Sequence, residues 1–166
     1  SYKANKISFG LSSILYNVSP GEFIPSSFNK DNLEQTIENE KGIESAIYVG
    51  NEFKIFNTLT AYLGLRGSSF VKLGESQYYL YESNQPKTFE SIIDTVNIAK
   101  NKLEKTYYGV EPRIALNKNI TSTSSIKLSY SRTYQYIHLL SNTIAVTPTD
   151  QWQLSNNHFK PQLGDQ

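Results

Sequence analysis

The sequence predicts an all-β protein, and more narrowly an antiparallel section of a large transmembrane β-barrel. Three observations predict it. Polar and apolar residues alternate with period two along most of the chain. The turns between alternating segments are short and long by turns. The segments themselves run to about 11–14 residues, beyond the roughly 5–6 usual in soluble strands and enough for a tilted membrane crossing of about 9–11.

The clearest segment pair lies between Lys105 and Tyr136. On its first strand Tyr108, Val110, Pro112, Ile114 and Leu116 share a face, opposite Tyr107, Gly109, Glu111, Arg113 and Asn117. On its second, Ile126, Leu128, Tyr130, Tyr134 and Tyr136 share a face, opposite Ser125, Lys127, Ser129, Ser131, Thr133 and Gln135. The joining stretch is rich in Asn, Ser and Thr, whose side chains bond locally to turn backbone. Pro112 has no N–H to give to a ladder, so a bulge is expected there.

Earlier in the chain, residues 6–16 alternate Ile7, Phe9, Leu11 and Leu15 against Lys6, Ser8, Gly10 and Ser12, with Ser13 and Ile14 out of step. Residues 17–43 form a long polar connection. Within it Leu33 and Ile37 are spaced for a short helix capped by Asn29 or Asp31, though the polarity favours a solvated loop. Residues 44–55 alternate Ile47, Val49, Phe53 and Ile55 against Glu44, Tyr48, Glu52 and Lys54. After a turn at Phe56-Asn57, residues 58–71 set Leu59, Ala61, Leu63, Leu65 and Val71 against Thr58, Thr60, Tyr62, Gly64, Arg66 and Ser68. The long connection 72–104 holds an extended QYYLYE; beyond it Ile92, Val96, Ala99 and Leu103 would align on a helix, but IIDTVNIAK also reads as a strand leading into residue 105, the reading favoured here. A third long connection, 137–161, carries Trp152, the only tryptophan. In an antiparallel sheet successive turns fall at opposite ends, so all short turns share one end and all long loops the other. Outer-membrane barrels have this asymmetry, with short periplasmic turns and long extracellular loops.

Composition agrees. The chain is 38% hydrophobic and 13% aromatic, with twelve Tyr, eight Phe and no Cys or Met, and its mean hydropathy is −0.45. Alternation plus long polar loops produces that combination. A net charge of +1 gives no reason to expect a nucleic-acid partner. There is no apolar run of transmembrane-helix length and no leader segment, and the opening residues already read as strand, so a piece of a longer mature protein is expected. About five or six long strands are expected, fewer than the roughly eight that the smallest transmembrane barrels use.

Taken in order, Glu52 with the strand after it, Gly64-Leu65-Arg66, Glu111-Pro112-Arg113, Ser125–Ser131, Gln135–Asn142, Pro148–Trp152 and Lys160–Gln166 resemble the β-barrel of TonB-dependent outer-membrane receptors. The likeness is to the Bacteroidetes type with a carboxypeptidase-regulatory-like N-terminal domain. It covers most of the chain outside the first two loops and makes residues 1–166 part of a barrel domain, without plug domain or TonB-contacting segment. The resemblance implies residence in the outer membrane among its lipids. It also implies energised import of a nutrient ligand (glycan, peptide, siderophore or similar), with plug and TonB as partners and a surface lipoprotein as a further one in some members.

Two residue groups are candidate sites. Tyr134, Tyr136, His138, Asp150 and Trp152 lie at the long-loop end and would form an aromatic ligand platform; alternatively the tyrosines are an interfacial girdle and Trp152 anchors the loop. Glu52, Arg66, Glu111, Arg113, Lys127 and Arg132 are read on polar faces, lining a lumen or only neutralising one another. A turn centred near Ile120 would bring Glu111 close to Lys127 or Arg113. The two histidines, His138 and His158, have no Cys or carboxylate at metal-ligand spacing, and no nucleophile-elbow or phosphate-loop motif occurs. No enzyme, metal or cofactor is expected. Two other classes compete: a passive structural or adhesion barrel, and a soluble β-sandwich carbohydrate-binding module whose apolar faces would pack on each other.

Overall fold

The computed structural model describes residues 5–19, 22–23, 35–36, 39–140 and 151–166. The first strands are β1 (Asn5–Val18), β2 (Glu22–Phe23), β3 (Gln35–Thr36), β4 (Glu40–Phe56), β5 (Leu59–Leu73) and β6 (Ser76–Tyr81). They are followed by β7 (Ile92–Ile98), β8 (Leu103–Asn119), β9 (Ser125–Gln135), β10 (Ile137–Leu140), β11 (Gln151–Leu154) and β12 (Gln162–Asp165). One antiparallel sheet holds six of these in the order β1-β4-β5-β8-β9-β12. The others pair as small hairpins, β2–β3, β6–β7 and β10–β11, inside the three long connections. Short links at 57–58 and 120–124 therefore lie at one end of the sheet and the long connections at the other. β1, β4, β5 and β8 span 14, 17, 15 and 17 residues, longer than the alternation alone suggests.

The pairing keeps one face apolar across the sheet. Phe9, Val49, Leu65 and Pro112 stand in one row, and Leu11, Ile47, Gly67 and Val110 in the next. Leu116 and Leu128 are paired further toward the short turns. Among the described residues no second layer covers this face: Phe9 is 79% exposed, Leu11 80% and Leu128 68%. The buried core lies on the other face, at the long-connection end. There Phe70, Tyr136 and Leu154 are almost fully enclosed, with Tyr16, Val18, Tyr107, Tyr134 and Ile137 packed around them. Phe70 and Tyr136 stack with centroids 4.9 Å apart and planes 7° from parallel. The polar face also holds rings laid over glycines. A Cβ atom built on Gly10 would fall 2.6 Å from the Tyr48 hydroxyl, and one on Gly50 would collide with the Tyr62 hydroxyl, so only glycine leaves room for these rings.

Several expectations are corrected. Tyr134 and Tyr136 do not share the apolar face with Ile126, Leu128 and Tyr130. Tyr136 Oη lies 2.8 Å from Ser68 Oγ, and Ser68 is paired with Gly109. The Tyr134 ring and the Tyr136 hydroxyl thus lie over Gly109 on the polar face, beyond Arg113–Ser131, where the β8–β9 pairing ends. The cause is next door. Pro112 remains in register with Leu65, so the expected bulge is not in its own ladder with β5. The β8–β9 ladder instead ends at Arg113–Ser131, beside the residue that lacks a donor, and Ser131 exchanges both backbone hydrogen bonds with Gln166 at 3.0 Å. The irregularity falls on the partner strand. Glu111 faces neither Lys127 nor Arg113; its partner is Arg66 across the β5–β8 ladder, while Lys127 is opposite Asn117.

The strand over Ile92–Ile98 forms as expected, but it pairs with β6 and is separated from β8 by a turn in which Asn101 takes a positive φ of 59°, a conformation Asn tolerates. Gln35–Thr36 pair with Glu22–Phe23; Leu33, Ile37, Asn29 and Asp31, on which the short-helix alternative rests, lie outside the described residues. Ser13 and Ile14 are out of step as expected: β1 stays regular to Val18, which turns Ser13 to the apolar face and Ile14 and Tyr16 to the polar face.

Candidate functional site

Alternation by two places Glu40 and Glu44 of β4, Arg66 and Lys72 of β5, and Glu111 of β8 on the polar face, and register aligns them. Arg66 bridges two strands: Nη2 donates to Glu44 Oε1 at 2.8 Å and Nη1 to Glu111 Oε1 at 2.5 Å. Tyr16 Oη donates to the second Glu44 oxygen at 2.8 Å. Nearer the long connections, Lys72 Nζ lies 2.6 Å from Glu40 Oε1, and Glu40 Oε2 accepts the Leu154 N–H at 2.6 Å. Glu111 is 1% and Lys72 3% exposed. Charges this enclosed are tolerable only when paired and hydrogen-bonded, and here each carboxylate has a cation. The ladder thus ties β1, β4, β5 and β8 together and fixes β11 over them.

Residues 151–156 fold over the end of the polar face. Besides the Leu154–Glu40 bond, Ser155 N donates to Tyr136 O at 2.8 Å and Tyr107 Oη donates to Asn156 O at 2.7 Å. Between this cap and the β6–β7 hairpin opens a cavity of about 360 Å³, lined among others by Trp152, Phe159, Tyr78, His158, Glu75 and Glu104. Trp152 is half-exposed, and His158 meets Tyr78 and Tyr81 edge-on at 6.3 and 6.0 Å. Four rings stand there among carboxylates, side-chain amides and Lys72, so the hollow offers stacking surfaces and directional hydrogen bonds but is more polar than the usual small-molecule pocket.

Of the expected platform, only Trp152 lines this cavity. Tyr134 and Tyr136 stack on each other beneath the cap, and Tyr136 is buried at 2% exposure. It is neither a free platform nor an interfacial girdle residue. His138 faces inward, with Nε2 2.9 Å from Ser155 Oγ. Asp150 lies outside the described residues. Among the lumen candidates, Arg66 and Glu111 meet in the ladder, whereas Glu52, Arg113 and Lys127 are exposed on the polar face toward the short turns. Arg132 stands apart, paired in a fork with Asp165 of β12 at 2.8 and 3.0 Å, and Tyr130 donates to the same carboxylate. Sequence reasoning overlooked Tyr16, Glu40, Lys72, Phe70 and Leu154. Tyr16 and Phe70 lie inside the alternating runs 6–16 and 58–71 on the polar parity, and extending the runs 44–55 and 58–71 outward by a few residues reaches Glu40 and Lys72.

Burial of His138 pushes its pKa below the usual value. A histidine with a depressed folded pKa takes up protons more readily in the open state, so its contribution to stability is lost as pH falls below about 6.5. We expect the β10–β11 hairpin to open more often near pH 5 than near pH 7.5. Amide exchange at Leu154 and Ser155, corrected for intrinsic rates, reads it, and His138→Gln should abolish the difference. Equal opening at both pH values in the native chain would remove His138 as the cause.

Among the described residues, no group of three or more His, Cys, Asp or Glu is placed to hold a metal ion. Comparison with protein-family models, curated proteins and solved structures finds no match for this chain.

Proposed function

We propose that this chain is a section of the β-barrel of a TonB-dependent outer-membrane receptor, and that the cavity at its long-loop end receives a nutrient ligand on its way to import. The observation that carries this reading is the uncovered apolar face. A water-soluble sandwich would bury that face against a second sheet, whereas lipid covers it in a barrel. From Tyr108 to Leu116 the face runs about 27 Å along β8 at ~3.4 Å per residue. Tilted by about 40°, it rises about 20 Å, near the ~25 Å of a membrane band. The charged ladder on the opposite face belongs to the water side of the same wall. The open sheet edges at β1 and β12 would be closed by further strands, because unpaired backbone is not tolerated in lipid.

Fractionation of the full-length parent tests the reading. Recovery only with detergent, in the outer-membrane fraction and as a heat-modifiable band on a gel, is the expected result. Recovery as a soluble monomer would overturn it in favour of a sandwich-type binding module. A plug-length domain upstream would separate transport from a passive barrel.

A further inference from the structure

The cavity between the cap and the β6–β7 hairpin has an uneven set of polar groups. Its one lysine, Lys72, is buried and already holds Glu40. Glu75 and Glu104 line the same hollow, and none of the ion pairs among the described residues involves either of them. Glu104 Oε2 accepts the Ser76 hydroxyl at 2.8 Å. Gln153 also belongs to the lining, and its Oε1 is enclosed with no hydrogen-bond partner among the described residues. The charged groups left over are thus carboxylates, and the enclosed polar atom left over is an acceptor. Beside them stand the rings of Trp152, Tyr78 and Phe159. We infer that this site takes a small organic cation bearing N–H donors, a primary amine or a guanidine, against an aromatic wall.

Elimination leads to this class. An anion would meet Glu75 and Glu104, with Lys72 already committed. A neutral ring compound would stack on the walls but leave both carboxylates without a counter-charge. A quaternary ammonium would suit rings and carboxylates but has no N–H for the Gln153 oxygen. A primary ammonium or guanidinium offers a partner to each kind of group: attraction to a ring face, charge-assisted hydrogen bonds to a carboxylate and a donor for an amide oxygen. The volume of about 360 Å³ is at the lower end of the roughly 300–1,000 Å³ of small-molecule sites, so the ligand is a single ring or a short chain. The two carboxylates are not equivalent. Glu75 also borders a second hollow, with Lys41 and Lys100, which share its charge. Glu104 does not line that hollow and is the principal anchor for the cation.

The inference rests on the reading of this cavity as a ligand site, not on the barrel around it. Calorimetry on the purified full-length parent compares three probes that share a ring and differ in the head group: phenethylamine, phenethyl alcohol and phenylacetate. The amine should bind about tenfold or more tighter than the alcohol, and phenylacetate should bind weakest. Glu104→Gln, which keeps an acceptor for Ser76, should bring the amine down to the level of the alcohol, and Glu75→Gln should cost it less. Trp152→Ala should weaken amine and alcohol alike, and Lys127→Gln, near the short turns, neither. An unchanged urea midpoint shows that the variants fold. An amine that binds no tighter than the alcohol, or whose binding survives Glu104→Gln, would overturn the inference. Fractionation judges the barrel separately. A detergent-extracted parent that does not bind the amine loses the inference and keeps the barrel; a soluble parent that binds it does the reverse.

Discussion

Replacing Arg66 by alanine is expected to destabilise the parent protein by about 3–5 kcal/mol, the range for removing one partner of a buried ion pair. Arg66 is the only cation in direct contact with both Glu44 and Glu111 among the described residues. Glu111 has almost no exposed surface in the intact chain, so loss of the guanidinium leaves its charge poorly compensated. Glu44 keeps the Tyr16 hydroxyl, which compensates it in part. Equilibrium unfolding in urea measures the loss. Adding Glu44→Gln and Glu111→Gln to Arg66→Ala should recover much of it, because the stranded charges then disappear. If the single variant unfolds at the native midpoint, the ladder is not a tie between strands.

Introducing a charge at Leu65 should produce the second large effect. Leu65 is half-exposed between Val49 and Pro112 on the apolar face, near the middle of β5. Arginine at the midplane of a barrel's lipid face costs about 2–4 kcal/mol, whereas an exposed substitution in water usually stays within about 0.5 kcal/mol. Leu65→Arg in the parent reconstituted into phospholipid vesicles is therefore expected to lose about 2–4 kcal/mol, and Ser129→Arg on the opposite face about none. Equal stability of Leu65→Arg and the native protein would take this face out of lipid.

What could be read from the sequence follows from how local each signal is. Period-two patterning sorted β4, β5, β8 and the first part of β9 onto the correct faces, because side-chain direction in a strand depends only on parity. The same reasoning misplaced Tyr134 and Tyr136. A one-residue slip reverses every later side chain, and here the change of face falls in β9 near Ser131, where the pairing with β8 ends beside Pro112. The partner of Glu111 was equally out of reach: Lys127 and Arg66 are both plausible by charge, and only register across the sheet decides between them. The aromatic group at residues 134–152 was recognisable as a cluster at the long-connection end. Its division between core and cavity depends on how residues 151–156 fold back, through Leu154 N–H on Glu40 and Tyr107 on Asn156, contacts between residues far apart in sequence.

The uneven spacing of the turns also bears on how the sheet is assembled. Joining β4 to β5 or β8 to β9 closes only the short links at 57–58 and 120–124, and ring-closure entropy rises with loop length. These two hairpins should form before β1 finds β4 or β5 finds β8, and early amide protection confined to them during refolding would be the kinetic sign. The wall is then put together from ready-made pairs of strands, and the long connections are spanned only when those pairs meet. Insertions in the long connections should consequently slow the meeting of pairs far more than the making of each one.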